Sequence, residues 1–379
     1  MTGGNRILRA LRGESLDRVP IEIPIPLDLV RWGEGWRPEG GWMAEENYLR
    51  VAEAAGEHCD SFWGCPGVGH LFDRRFAMVP AERVHIASDE RVNGRRTVTY
   101  VVSTPRGDLR TVETFDEGVN TWWYPEPLCK SKEDAEKLLS VPFEVGEVDL
   151  SQYLQARERA GERVAPQVSI STPLVSAGRL LHFDQWLEWC ASDFGFVDRL
   201  VAAHAERIGA RLKAVLEAGV GPVFWFGGSE QATPPMMSRE LFEKLVVKYD
   251  GPLMRMVKDC GCYVHVHCHG KVDAVLEHFM DMGADCLDPC EPHPDGDLDF
   301  AEAKRRARGR MVLIGNIEFR HMEHLTPDQI EEKVKRAILD GGPKGMILGL
   351  SATGISSVTD RYRDNCLRYI EAGLEYGAR

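Results

Sequence analysis

In the second half of the chain, apolar positions switch back and forth between two periods. GPVFWFGG (221–228) is a short, nearly continuous apolar run. From Ser238 to about Asp259 the apolar residues are spaced for one face of a helix, and Ser238 suits its N-cap. The switch recurs with CYVHVH before a helix from about Val272 to Met282, ended by Gly283. It recurs with ADCLDP before a helix from about Phe300 to Ala307, and with RMVLIGN before TPDQIEEKVKRAILDGG. MILGLS then precedes a helix from about Asp360 to Glu375. In the TPDQ segment, Thr326 is the expected N-cap, Pro327 the first helical residue and Gly341 the residue past the end. Strand–helix repeated in this way predicts a parallel sheet covered by helices.

The first half fits the same plan with one exception. VPIEIPI (19–25) and VAPQVSIS (164–171) read as further strands, and 196–219 as a long helix feeding the strand at 222. The exception is 82–115, where apolar and polar residues alternate and Asn93-Gly94 and Arg106-Gly107-Asp108 suit turns. It predicts an antiparallel β ribbon inserted in the barrel, not a separate domain. About eight strands predict an α/β fold, a (β/α)8 TIM barrel carrying this insert. The barrel is expected to form one domain over residues 1–379. A doubly wound sheet would need a glycine-rich phosphate turn after an early strand, and the sequence has none.

Charge narrows the partners. Lys and Arg number 46 against 59 Asp and Glu, a net charge of −13. Such an acidic balance disfavours nucleic acid and anionic membranes. MTGGNRILRALRGESLDRVP breaks every apolar core with charge, unlike a signal peptide, and no apolar run is long enough to span a membrane. The cysteines are scattered without a framework spacing, so reduced thiols and a cytoplasmic location are expected.

In a parallel barrel the strands' C-terminal ends and the loops after them build the site. The strand at 222–227 then ends near Glu230, and that at 263–267 in His267, Cys268 and His269. The strand at 284–289 ends in Cys290, Glu291 and His293, that at 311–315 in Asn316 and Glu318, and that at 346–350 in Ser351 and Thr353. YVHVHCHGK (263–271) sets three of the chain's 12 histidines, His265, His267 and His269, on one strand face and Cys268 on the other. Imidazoles two residues apart on a strand lie roughly 7 Å apart and can converge on one ion. An open zinc site needs three protein ligands, so His267 and His269 require a third: Glu230 or Glu291, with Cys290 a softer alternative. A lone histidine at a strand end is ordinarily a hydrogen-bonded rim residue. Three in a row, flanked by carboxylates, favour a metal. His265, one pleat deeper, is expected to be packed and hydrogen-bonded, and Cys268 to pack toward the helices. Asn316 either ends its strand or lines the mouth as a cofactor contact. Phe62-Trp63 and Trp122-Trp123-Tyr124 are expected to pack, with a lid over a flat substrate as the alternative.

LRALRGESLDRVPIEIP, GPVFWFGGSE, the helix 238–260, HVHCHG, GADCLDP, MVLIGNIE and ILGLSATGI are spread over nearly the whole chain. Together they resemble the uroporphyrinogen decarboxylase-like superfamily of (β/α)8 barrels. The resemblance implies one of two chemistries. The decarboxylases hold a porphyrinogen's carboxylates with an arginine-rich N-terminal segment, which here reads VPIEIPIPLDLVRWGEG and lacks the arginine pair. The corrinoid-dependent methyltransferases carry zinc on a His-x-Cys pair of this strand and on a cysteine at the last strand. His267 matches the histidine, His269 stands where the cysteine would be, and the last strand offers Ser351-Ala352-Thr353. The sequence looks most similar to members of this branch that act on methyl ethers.

Histidine and carboxylate ligands make a harder Lewis acid than thiolates, one suited to polarising an ether oxygen. The expected reaction is an O-demethylation. A methyl group passes from an oxygen donor, such as a methoxylated aromatic, to the cobalt of a corrinoid (cobalamin) carried by a separate protein. Glu230 or Glu291 would complete the metal shell or protonate the leaving oxygen. The expected partners are the methyl donor and the corrinoid protein, with a homodimer admissible. One alternative is a decarboxylase on another carboxylated substrate, which needs Arg or Lys at the mouth; Arg74, Arg75 and Arg179 are candidates. Another is a tetrapyrrole-binding protein with a large apolar cleft and no metal.

Overall fold

The structure, a computed structural model, describes the chain except residues 26–28, 69–71, 73–75, 77–78, 120, 147 and 355. Its main body is a parallel sheet in the order β1 (Phe62–Gly64), β6 (Ala165–Ser171), β7 (Val223–Gly227), β8 (Tyr263–His267), β9 (Cys286–Asp288), β10 (Val312–Ile317) and β11 (Met346–Leu350). Every pair in it is parallel, with helices between successive strands. Parallel strands are covered on both sides, which is why β11, MILGL, is buried throughout.

The two edges of this sheet meet at residues 20–22. Leu348 N–H donates to Pro20 O at 2.9 Å, Glu22 N–H to Leu348 O at 2.7 Å, and Asp60 N–H to Ile21 O at 2.7 Å. The expected first strand is therefore an isolated bridge between Ile21 and Leu348 and not a full ladder. Proline has no N–H to give a ladder, and Pro20 and Pro24 interrupt it on both sides of Glu22.

The alternating segment is larger than the expected ribbon. β2 (Val84–Val92), β3 (Arg95–Val102), β4 (Leu109–Asp116) and β5 (Trp122–Glu126) form a second, antiparallel sheet in that order. Asn93 and Gly94 make the expected hairpin turn, both at positive φ. Trp122, Trp123 and Tyr124 belong to β5, paired with β4, and Trp122 and Trp123 are exposed and not packed as expected. The expected ribbon with its two turns corresponds to β2, β3 and β4; β5 is the added strand, and Val98, Val102 and Val112 are buried in the sheet.

The helix expected after Thr326 runs Pro327–Gly341 behind a complete capping box. Gly341 is its last residue, and Gly342 takes the positive φ beyond the end. No helix among the described residues is long and apolar enough to cross a membrane.

Candidate functional site

β8 alternates as its sequence predicts. Val264 and Val266 are fully buried on one face, while His265 and His267 on the other line a cavity of about 580 Å³. Both imidazoles converge on Asp288, the last residue of β9. His265 Nε2–H donates to Oδ1 at 2.7 Å, and His267 Nδ1–H donates to Oδ2 at 2.9 Å. The register explains this, since His265 pairs with Cys286 and His267 with Asp288. The aspartate thus stands level with one ring and one pleat from the other. Burial pushes the Asp288 carboxyl up, but the charges and hydrogen bonds of the two imidazoles outweigh it and hold it far below the ordinary range. A carboxylate only accepts, so the nitrogens facing it carry hydrogen. A neutral His267 then keeps its lone pair on Nε2.

His265 is packed and hydrogen-bonded, only 4% exposed. Its Nδ1 lies 2.7 Å from Gln167 Oε1, and its ring centre is 4.5 Å from that of Phe62. His269 stands edge-on to His267, with ring centres 4.6 Å apart. His269 Nδ1–H donates to Glu291 Oε1 at 2.8 Å, and the Gly270 N–H to Glu291 Oε2 at 2.6 Å. Burial pushes the Glu291 carboxyl up, yet these bonds outweigh it and keep it below its ordinary range. Both Glu291 oxygens thus serve to orient His269 and the turn at Gly270.

The other strand-end residues lie apart from this chain of bonds. Glu230 sits in the turn Ser229–Ala232 after β7, where its Oε2 is buried without a hydrogen-bond partner among the described residues. Asn316 is half-buried in β10, opposite Gly349. Cys268 and Cys290 are buried, the latter with its thiol 3.3 Å from Leu287 O. Glu318 accepts from the Ser351 hydroxyl at 3.2 Å, while that hydroxyl accepts from the Phe319 N–H at 2.8 Å. Burial, and then the charge of Glu291, push the Glu318 carboxyl up to about 7. Of His267, His269, Glu230, Glu291 and Asn316, His267 alone lines the cavity.

The cavity wall mixes acids, imidazoles and aromatic rings. Glu22, Gln167, Ser169 and Asp288 face it beside the two histidines, with Phe62, Trp63 and Trp225 among them. The Trp225 ring centre lies 5.0 Å from that of His267. None of the described lining residues is Lys or Arg. Arg179 instead stacks its guanidinium 5.8 Å from the Tyr124 ring centre. Arg74 and Arg75 lie outside the described residues.

A catalytic metal asks for three ligands on one ion. His267 and His269 each have a carboxylate behind Nδ1, the arrangement that ligating histidines show. Among the described residues, however, no three His, Cys, Asp or Glu side chains are grouped to hold an ion. The donor set stops at two imidazoles and does not fit a complete zinc shell.

A family model for uroporphyrinogen decarboxylase matches residues 122–376, more than half of the chain. The chain belongs to the uroporphyrinogen decarboxylase family. No curated protein sequence matches it. Among solved structures, a methyltransferase from Methanosarcina mazei shares 16% identity with a TM-score of 0.62, covering 100% of each chain. A B12-independent methionine synthase from a Shewanella species, in complex with selenomethionine, shares 12% identity. It covers 77% of this chain and 75% of its own, with a TM-score of 0.41. At 16% identity the first likeness shows a shared fold.

Within this member of the uroporphyrinogen decarboxylase family, the polar cavity residues missed by the strand-end reasoning are Glu22, Ser61, Gln167, Ser169 and Asp288. Asp288 had a visible signal: an acid in LDP, ending a strand beside the histidine strand. Glu22 had a weaker one, an acid in the middle of an apolar strand pattern. Nothing in the sequence marks Gln167 as a partner of His265.

Proposed function

We propose that this chain transfers a methyl group from a neutral methyl ether, such as a methoxylated aromatic, to the cobalt of a corrinoid protein. The observation that carries the reading is the wall of the cavity. Its described lining holds carboxyl groups, imidazoles and aromatic rings but no Lys or Arg. A polycarboxylate would meet the ionised Asp288 there with no Lys or Arg among the described lining residues to offset it, and like charges in a partly desolvated site repel strongly. A neutral aromatic ether meets no such penalty. Phe62, Trp63 and Trp225 offer flat apolar surface, and about 580 Å³ lies within the range of small-molecule sites. We read residues 1–379 as one domain, with the antiparallel sheet as its insert.

The residues divide the work of binding and orientation. The aromatic rings hold the donor's ring. Asp288 locks His265 and His267 through one hydrogen bond to each, so that His267 faces the cavity in one ring orientation. A fixed imidazole positions a polar group of the donor and so favours a productive pose. The cobalt is the acceptor of the methyl group and comes with the partner protein.

The test is to mix the purified chain with a reduced corrinoid protein and a panel of methyl ethers, and to follow the cobalt absorbance. Methylation of the corrinoid by at least one neutral aromatic ether is expected. Inactivity across the panel, together with carbon dioxide release from a carboxylated substrate, would replace this reading with the decarboxylase.

A further inference from the structure

An ether that loses its methyl group leaves an oxygen carrying an electron pair, and that oxygen is a poor leaving group unless it is protonated. The cavity holds an acid suited to this task in an unexpected place. Glu22 lies in the segment that closes the sheet, not at a strand end. Ile21 is fully buried, and Glu22 lines the cavity together with Ile23, Pro24 and Ile25. Its backbone is held on two sides: Glu22 N–H donates to Leu348 O at 2.7 Å, and the Tyr369 hydroxyl donates to Glu22 O at 2.8 Å. Its Oε2 lies over Gly349, 3.7 Å from where a Cβ would stand. The acid is thus fixed against a bare stretch of wall.

Glu22 and Asp288 share the cavity but have opposite surroundings. Asp288 has two imidazole partners. Glu22 has no cation among the described lining residues, and no donor among the described residues bonds its carboxyl. Two carboxyl groups whose surroundings push them apart in this way mark one as the charge holder and the other as the acid.

We propose that Glu22 is the proton donor to the oxygen that gives up its methyl group. The inference rests on the methyl-transfer reading of the cavity. The cobalt(I) of the corrinoid protein supplies the electron pair of the new bond to the methyl carbon, and the carbon–oxygen bond breaks with its pair left on oxygen. The Glu22 proton moves to that oxygen, the hydroxyl product forms, and Glu22 is left as carboxylate to be reprotonated by water. Burial, and then the charge of Asp288, push the Glu22 carboxyl up to about 8, so it holds its proton near neutral pH.

The test uses two donors whose leaving oxygens differ in basicity, anisole and its para-nitro derivative. Each is offered with reduced corrinoid protein to the wild type, Glu22→Gln and Glu22→Asp, and the cobalt absorbance is followed. In Glu22→Gln the anisole rate should fall roughly a hundredfold or more, since a lost general acid costs that much. The nitro donor, whose phenolate leaves without help, should lose less than about tenfold, and Glu22→Asp should recover part of the anisole rate. A Glu22→Gln enzyme that keeps the wild-type anisole rate, or loses equally with both donors, overturns the assignment. A wild type that transfers from neither donor overturns the methyl-transfer reading itself, and the assignment with it.

Discussion

Two aspartates at opposite ends of the parallel sheet are held by opposite means. Asp60, just before β1, is fully buried. Arg6 reaches its Oδ1, Arg18 Nη1 donates to Oδ2 at 2.6 Å, and the Ile21 N–H donates to Oδ2 at 2.9 Å. Asp288, at the far end of β9, is 20% exposed and bonds two imidazoles instead. A guanidinium keeps its charge at every relevant pH, so the Asp60 cluster can only clamp. It ties the first helix and the closing segment to the foot of β1. Imidazole nitrogens can either donate or accept a hydrogen bond, so the Asp288 cluster can take part in chemistry. The same residue type thus serves as a rivet at one end and a working part at the other, and its partners make the difference.

The largest expected effect lies at Asp60. Asp60→Ala takes the shared buried anion away from Arg18 and from Arg6, which keeps only Asp17, and should cost about 3–5 kcal/mol of stability. Denaturant unfolding measures it. A loss under about 1 kcal/mol would mean that the cluster is not a clamp. Next comes Asp288→Asn, which should lower methyl transfer about a hundredfold, because the amide no longer sets both ring orientations. Its unfolding free energy should fall by only about 1 kcal/mol. A larger stability loss with an unchanged rate would make Asp288 a second rivet.

Glu22 sharpens the contrast through pH. Its folded pKa is raised from 4.5 to about 8, so between these values the folded state binds more protons than the unfolded one. Stability therefore falls as pH rises through that window and levels off above it. Glu22→Gln should remove the slope, worth roughly 1–3 kcal/mol across the window for a partly exposed group. An identical slope in the variant would show that the acid does not titrate in this way. The smallest effect concerns metal. Two imidazoles without a third grouped ligand should leave well under one equivalent of zinc after dialysis. A full, tightly held equivalent, lost in both His267→Ala and His269→Ala, would show that Glu230 or Glu318 swings in to complete a shell.

Much of the architecture was readable in the chain because its causes are local. The strand–helix alternation, the Thr326 cap, the hairpin turn at Asn93-Gly94 and the shared face of His265 and His267 depend on neighbours a few residues away. Periodicity and turn chemistry express those directly. The extent of the antiparallel sheet was harder to read, since whether Trp122–Tyr124 pair with β4 is a matter of packing and not of spacing.

The assembly of the site was decided by tertiary structure. Asp288 meets two histidines because the β8–β9 register sets it level with His267, and no sequence rule states a parallel register. Glu22 faces the cavity because the two sheet edges close on residues 20–22, a pairing between positions more than three hundred residues apart in sequence. Glu230 and Glu291 looked equivalent as strand-end acids, yet the fold gives Glu291 to His269 and leaves Glu230 in a turn off the cavity. By itself the sequence determined which side chains share a strand face and which family of folds they build, since those follow from the pitch of the backbone. Which charges stand next to which depends on register and closure across long stretches of chain, and these exist only once the sheet has closed.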